Sequence, residues 1–542
     1  MRRTARRIVV ALVLVVASAG IALPSVALEN APGNRTPTWK SEREHASDAG
    51  MTTPSGNRYR TGTSPEYKVH PVADISPDGT ADLDGDGAGD VIEVNHAGTT
   101  TAVTIRRGST GVRLWGVTRR NLIGLVPMRV GSPARAGVVV AWMNEPSTVP
   151  GPVGSAPRLY VLHLTAYDGR TGTVLWHWEP PAVLAGLGNE YVDALLPGSA
   201  GRASRFVVNL QDLRQYIVAG TGESWVGGSG TTEDQYGSAG DVDRDGFADV
   251  YTLETSGHLS VWSSSQSKSQ LWRRSDITAN FVTPVKHRNG DRLVDYVLVK
   301  MIPCQGFDCY PDTFIRTVLD GRTGKTRWTV TGHYNARDEL TSVNPVGDID
   351  GDGIADFVFS RSSAGELEFV TRSGRTNSVL WQRVFAAPCG YTDAGFPGFD
   401  VQPDGVTDQF FANGCGDQYS AGQVISGRDG SSVWHGPVPC CGVNASVDGS
   451  GDDIVGASGE FQTLGAYDVA VADGATGSPI WSFHRTLSMP MYVDGYAAAQ
   501  LTADSHAEVL VTLVTPSSAS VRHTEIGVVD GATGALRWVV ST

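Results

Sequence analysis

The residues of this chain best placed to do chemistry are carboxylates at alternate positions in short glycine-containing runs. The pattern D-x-D-x-D-G-x-x-D is complete at Asp82-Asp84-Asp86-Gly87-Asp90, at Asp241-Asp243-Asp245-Gly246-Asp249 and at Asp348-Asp350-Asp352-Gly353-Asp356. Asp400-Gln402-Asp404-Gly405-Asp408 keeps all but one position, and Asn444-Ser446-Asp448-Gly449-Asp452 keeps oxygen ligands throughout. His287-Asn289-Asp291-Asp295 and Gln500-Thr502-Asp504-Glu508 are poorer copies. Asp at positions 1, 3, 5 and 9 bends the chain around one point, and glycine at position 6 permits the sharp turn. A position-7 carbonyl (Ala88, Phe247 or Ile354) adds a further oxygen. A calcium ion wants about 6–8 such oxygens at roughly 2.3–2.6 Å, with water completing the shell, whereas magnesium resists so crowded a cage. Four like charges in one turn repel without a counter-ion. The expected cofactor is therefore Ca2+, held by the three complete loops and by Asp400, Asp404 and Asp408, while the Asn444, His287 and Gln500 copies are expected to go without. Glu93 stands at position 12 of the first loop, as in an EF-hand, but Thr252 and Phe359 stand there in the other two. The residues after Asp90 alternate like a strand, so Glu93 reads as a solvent-facing strand residue.

The elements that position these loops repeat. A second signature, D-G-x-T-G-x-x-x-W, is complete at Asp168–Trp176, Asp320–Trp328, Asp473–Trp481 and Asp530–Trp538. Partial forms end at Trp115, Trp381 and Trp434, Trp272 keeps only the tryptophan, and a shortened Thr221-Gly222 precedes Trp225. Asp-Gly and Thr-Gly suit the two ends of a tight turn, and the tryptophan offers a large apolar plate to its neighbours. Short alternating runs such as Val91-Ile92-Glu93-Val94 flank the motifs and read as strands. Successive tryptophans lie 47 to 61 residues apart when Trp225 is counted. A period near fifty, filled by about four strands, is that of a propeller blade, because a lone four-stranded sheet buries neither face and radial packing buries both. The expected fold is all-β, a single β-propeller of four-stranded antiparallel sheets. About eight blades are expected, with seven to nine possible; nine follow if the weak Trp225 copy is a true unit.

Composition bounds the partners. The 542 residues carry a formal net charge of −14, which argues against nucleic acid and anionic membranes. Arg2, Arg3, Arg6 and Arg7 precede an apolar run over 8–23 and small residues at Ser25-Val26-Ala27, the pattern of an export signal. The division expected is a signal over 1–27, a flexible lead over 28–71 and the propeller over 72–542, with no membrane span in the mature chain. The cysteines are Cys304, Cys309, Cys389, Cys415, Cys440 and Cys441, an even count that in an exported chain implies disulfides, with the pairing left open.

The three complete Asp loops resemble those of the FG-GAP/VCBS repeat propellers, the group that includes the integrin α-subunit head. The resemblance implies that the loops bind calcium in a hairpin between blade strands. The Asp-Gly-x-Thr-Gly-x-x-x-Trp turns are similar to blade turns of propellers related to pyrroloquinoline-quinone enzymes. Propellers host many activities, so fold does not name function. Neither a G-x-S-x-G elbow nor an H-E-x-x-H zinc motif occurs, and histidines such as His177 and His484 read as structural. The function expected is a secreted, monomeric, calcium-stabilised module that binds an extracellular protein or glycan, with 143–157 and 302–312 as recognition loops. The alternative is an exported enzyme, either a quinone-dependent dehydrogenase using Cys440-Cys441 or a polysaccharide lyase.

Overall fold

The computed structural model describes residues 67–541, apart from connecting segments of which 73–80, 149–157, 287–293 and 303–312 are among the longer. The export signal, nearly all of the lead and all six cysteines lie outside the described residues. The first strand, Tyr67–Pro71, falls within the segment read as a lead.

Among the described residues the strands form nine four-stranded antiparallel sheets and one small three-stranded one. The nine sheets follow one another along the chain and are numbered here as blades 1 to 9, over 67–120, 122–178, 191–229, 235–274, 281–333, 340–386, 391–439, 443–486 and 492–541. Each is a meander whose first strand pairs only with the second and whose fourth pairs only with the third. Nine is the top of the expected range. It is reached because the weak Trp225 unit is a full blade, with strands Tyr191–Leu196, Arg205–Asn209, Arg214–Ala219 and Ser224–Ser229.

Burial follows position within the blade. Middle strands such as Leu162–Asp168 and Glu508–Val514 are buried along their whole length, because each face packs on a neighbouring blade. The outer strand Pro479–Thr486 has no buried residue, with exposed and half-buried positions in equal number. Core clusters accordingly span blade boundaries: Tyr251, Leu253 and Val261 of blade 4 pack with Tyr296, Leu298 and Leu319 of blade 5. The cluster of Val91 with Leu501, Leu510, Ile526 and Val528 joins blade 1 to blade 9 and closes the ring.

The tryptophans of the second signature connect the blades. In blade 1 the register between third and fourth strands slips directly after the pair Ile105↔Trp115. The same bulge follows Val318↔Trp328, Thr371↔Trp381, Val424↔Trp434, Val471↔Trp481 and Val528↔Trp538. A bulge re-aims the side chain beside it, and here each indole reaches the next blade. Trp115 Nε1 donates to Gly169 O at 2.5 Å, Trp176 to Gly220 at 2.7 Å and Trp272 to Gly321 at 3.0 Å. Trp328, Trp381, Trp434 and Trp481 donate likewise to Gly374, Gly427, Gly474 and Gly531. Trp538 of blade 9 donates to Gly108 of blade 1 at 2.7 Å, across 430 residues of sequence. Each acceptor glycine begins the next blade's hairpin turn, and the turn's second glycine lies against the same indole except in blade 6, where Asn377 at a φ of +62° stands in its place. A Cβ on Gly477, whose φ is +69°, would stand 2.7 Å from the Trp434 ring, which explains why the motif ends its turn in glycine.

Blade 3 departs from this pattern. Its turn is two residues shorter, the pair Ile217↔Trp225 runs on in register to Val218↔Ser224, and Trp225 Nε1 is buried without a hydrogen-bond partner. The two positions give an internal control. Trp538→Phe and Trp225→Phe remove the same ring volume, but only the first leaves a buried glycine carbonyl unpaired. Urea unfolding should show Trp538→Phe the more destabilising by about 1–2 kcal/mol; equal losses would mean that the indole hydrogen bond contributes nothing to closure.

Candidate functional site: the carboxylate loops

Every Asp loop joins the first strand of a blade to the second. Asp82–Asp90 lies between Tyr67–Pro71 and Asp90–Ala97, and Asp241–Asp249 between Gln235–Gly240 and Asp249–Leu253. The first loop runs directly into the strand Asp90–Ala97 where an EF-hand would need its second helix, so its EF-hand pattern is coincidental. Glu93 is not solvent-facing as expected: it is buried at 5% exposure, with Arg106 Nε 2.8 Å from its carboxylate. The arginine across the third strand makes burial of that charge tolerable.

Each loop is wound by its own backbone. Asp82 accepts N–H bonds from Gly85 at 2.6 Å and Gly87 at 2.8 Å, Asp84 from Asp86, and Asp86 from Ala88. Gly246, Gly353 and Gly405 donate in the same way to Asp241, Asp348 and Asp400. The position-6 glycines sit at φ of +87°, +90°, +83° and +86° in loop order. Side-chain oxygens converge in three places: Asp82, Asp84 and Asp86; Asp241, Asp243 and Asp245; and Asp348, Asp350 and Asp356, with ligand atoms within 4.8 Å of one another in each group.

The position-9 carboxylates have a further role that the spacing did not reveal. Asp90 Oδ2 accepts from Leu83 N at 2.8 Å, and its Oδ1 from Gly108 N at 3.3 Å. Asp249 takes Val242 N and Ser264 N, Asp356 takes Ile349 N and Gly374 N, and Asp408 takes Val401 N and Gly427 N. Each carboxylate thus bridges its own loop to the hairpin turn between third and fourth strands, at the same end of the blade. Half of that bridge outlives the loop in each of two blades. In blade 5, Asp295 accepts from Gly321 N at 2.7 Å, and in blade 9 Glu508 accepts from Leu501 N at 2.7 Å. In blade 8 the buried carboxylate that opens the second strand is Asp453, one residue past the Asp452 that the pattern selects, which lies outside the described residues with most of its loop. Persistence of an acid at position 9 where positions 1 and 3 have decayed was the sequence signal for this role.

Arginines supply part of the counter-charge. Arg107 contacts Asp84 at 2.5 Å and Asp86 at 3.1 Å. Arg375 lies 2.9 Å from Asp352, Arg428 2.6 Å from Asp404, and Arg205 3.5 Å from Asp245. The more exposed pairs, at Arg375 and Arg428, are worth about 0–1 kcal/mol each, and the set holds position-3 and position-5 carboxylates against the hairpin turn or the neighbouring blade. In the blade 4 loop, by contrast, Asp241 Oδ1 is buried and has no hydrogen-bond partner among the described residues. A set of hard oxygens with one orphaned lone pair suits a calcium-type cation.

Burial pushes Asp90 and Asp249 up to about 7, and Asp356 and Asp408 up to about 6. A folded pKa raised above the unfolded value gives a contribution present at low pH and lost as pH rises through the folded pKa. In chelator, the metal-free protein should therefore become more resistant to urea as pH falls from about 8 toward 5. Asp408→Asn should flatten part of that slope; a slope of opposite sign would show that these carboxyls are not strained by burial.

Of the remaining expectations, the loops 143–157 and 302–312 fall largely outside the described residues, as does the Cys440-Cys441 pair of the quinone alternative. Both loops join second strand to third, so they leave the blades from the end opposite the Asp loops. Among the described residues no helix is long and apolar enough to cross a membrane.

No family model and no curated protein sequence matches the chain. Solved structures that overlap it include the Dos1 propeller, at 10% identity and a TM-score of 0.35 over 70% of this chain and 86% of that one. A eukaryotic initiation factor overlaps at 12% identity and 0.39, over 77% and 89% of the two chains. The rhamnogalacturonan lyase YesW overlaps at 14% and 0.37, over 87% and 74%. Overlaps this loose say nothing about activity.

Proposed function

We propose that this chain is an exported binding scaffold, a propeller braced by calcium at one end and free to engage an extracellular protein or glycan at the other. The observation that carries the reading is the blade 4 loop, where three carboxylates converge and the buried Asp241 Oδ1 lacks a partner. There Asp241, Asp243 and Asp245 would hold the ion, and Asp82, Asp84 and Asp86, and Asp348, Asp350 and Asp356, would do so in blades 1 and 6. The ion supplies positive charge that the arginines replace only in part. It ties each loop to the blade start, and its binding free energy adds to that of folding.

The division of the two ends supports the rest of the reading. Asp loops and hairpin turns occupy one end in mutual hydrogen bonds, which leaves them poorly placed to adapt to a partner. The long second-to-third-strand connections leave from the other end, and surface loops on a rigid frame are where recognition residues gather. The basic and apolar N-terminal segment supports export.

Elemental analysis of untagged protein should find bound calcium, and a thermal melt should rise by several degrees on exchanging chelator for Ca2+. A site filled at about 100 times its Kd adds about 2.7 kcal/mol. Asp241→Asn should remove one site's share while leaving the chelator melt nearly unchanged. Protein free of calcium, with one melting curve in both buffers, would overturn the calcium half of the proposal. A glycan and ectodomain array tests the binding half, and signals lost on grafting short turns over 143–157 would place the recognition end.

A further inference from the structure

A second polar cluster lies on blade 2, away from any Asp loop. The register pairs His177 with Thr165 and Trp178 with Leu164, while Trp142 lies opposite His163. Alternate residues share a sheet face, so His163 and Thr165 on the third strand meet His177 and Glu179 on the outermost one, with Trp142 on the far side of His163.

Three ligand-type atoms converge there. His163 Nδ1 lies 3.3 Å from His177 Nε2, and Glu179 Oε1 lies 2.9 Å from each of them. Metal–nitrogen bonds of about 2.0–2.1 Å at tetrahedral angles put two ligand atoms about 3.3 Å apart. The surroundings fix both rings. The Trp142 indole stacks on His163 at 4.1 Å and 14°. His177 Nδ1 is 3.1 Å from Thr165 Oγ1, which Trp142 Nε1 also approaches at 3.4 Å. Such a partner on the remote imidazole nitrogen is how metal-binding histidines are oriented.

Protons alone fill the cluster poorly: for both rings to donate to the one Oε1, two N–H groups must face each other across the 3.3 Å contact. One cation satisfies all three lone pairs together.

We propose that His163, His177 and Glu179 form a binding site for a zinc-class divalent ion, separate from the calcium loops. Two imidazole nitrogens and one carboxylate are the donor set of Zn2+ rather than of Ca2+. The His177 and Glu179 side chains are 42% and 49% exposed, so the ion is reached from solvent and keeps an open position for water or an outside ligand.

The test is a titration of untagged protein with Co2+ in millimolar Ca2+, which keeps the Asp loops filled. One equivalent should bind with the visible absorption of four-coordinate cobalt, and Zn2+ should displace it. Glu179→Gln and His177→Ala, both at half-exposed positions, should weaken uptake at least about tenfold, with the circular dichroism spectrum and the calcium-dependent melt retained. Absence of the cobalt band in the wild type, or uptake indifferent to both substitutions, would overturn the site.

Discussion

The structure depends on a bond between an indole N–H and a glycine carbonyl one blade further round. A four-stranded sheet in this chain has two apolar faces and no means of covering either by itself. The bulge after each tryptophan points its ring out of its own sheet, and the hydrogen bond fixes which part of the next sheet it meets. Area burial alone is non-directional and would let the blades slide. The bond to a turn glycine sets one angle and one height for each junction, and eight such junctions, the last running from Trp538 to Gly108, leave the ring closed.

The acid at position 9 is the counterpart of that bond within a blade. Its oxygens take one N–H from the first connection and one from the second turn, and that turn carries the glycine whose carbonyl meets the incoming indole. In blade 6, Gly374 gives its N–H to Asp356 and its carbonyl to Trp328, so the loop, the turn and the neighbouring blade are held through one residue. A carboxylate buried for this purpose is costly at neutral pH, which is why its pKa rises. Positions 1, 3 and 5 face a different problem, several like charges in one short loop, and arginines meet part of it.

Blade 2 shows what the same architecture does without an Asp loop. Its first two strands are joined through a short connection, and polar groups gather instead across its third and fourth strands. There His163, Thr165, His177 and Glu179 are brought together by a hairpin of ordinary D-G-x-T-G type. The turn that elsewhere receives an indole and donates to a buried acid here also sets the register of two histidines.

The repeat itself was legible in the sequence, because a motif that needs a positive φ in its turn and tryptophan at a fixed distance leaves the same letters in four copies and recognisable parts of them in others. Strand content, blade size and the oxygen-rich loops followed from those letters. The Trp225 unit remained ambiguous, since a turn shorter by two residues loses its bulge and with it the spacing by which the others are recognised. The burial of Glu93 was misread, because strand alternation says which residues share a face and not which face another blade covers. The division of labour among the loop carboxylates, and the meeting of His163 with His177 and Glu179, were settled only by tertiary structure. Partners there lie on different strands, and whether an oxygen or nitrogen meets a backbone N–H, an arginine or another ligand depends on strand register, which spacing along one segment does not encode.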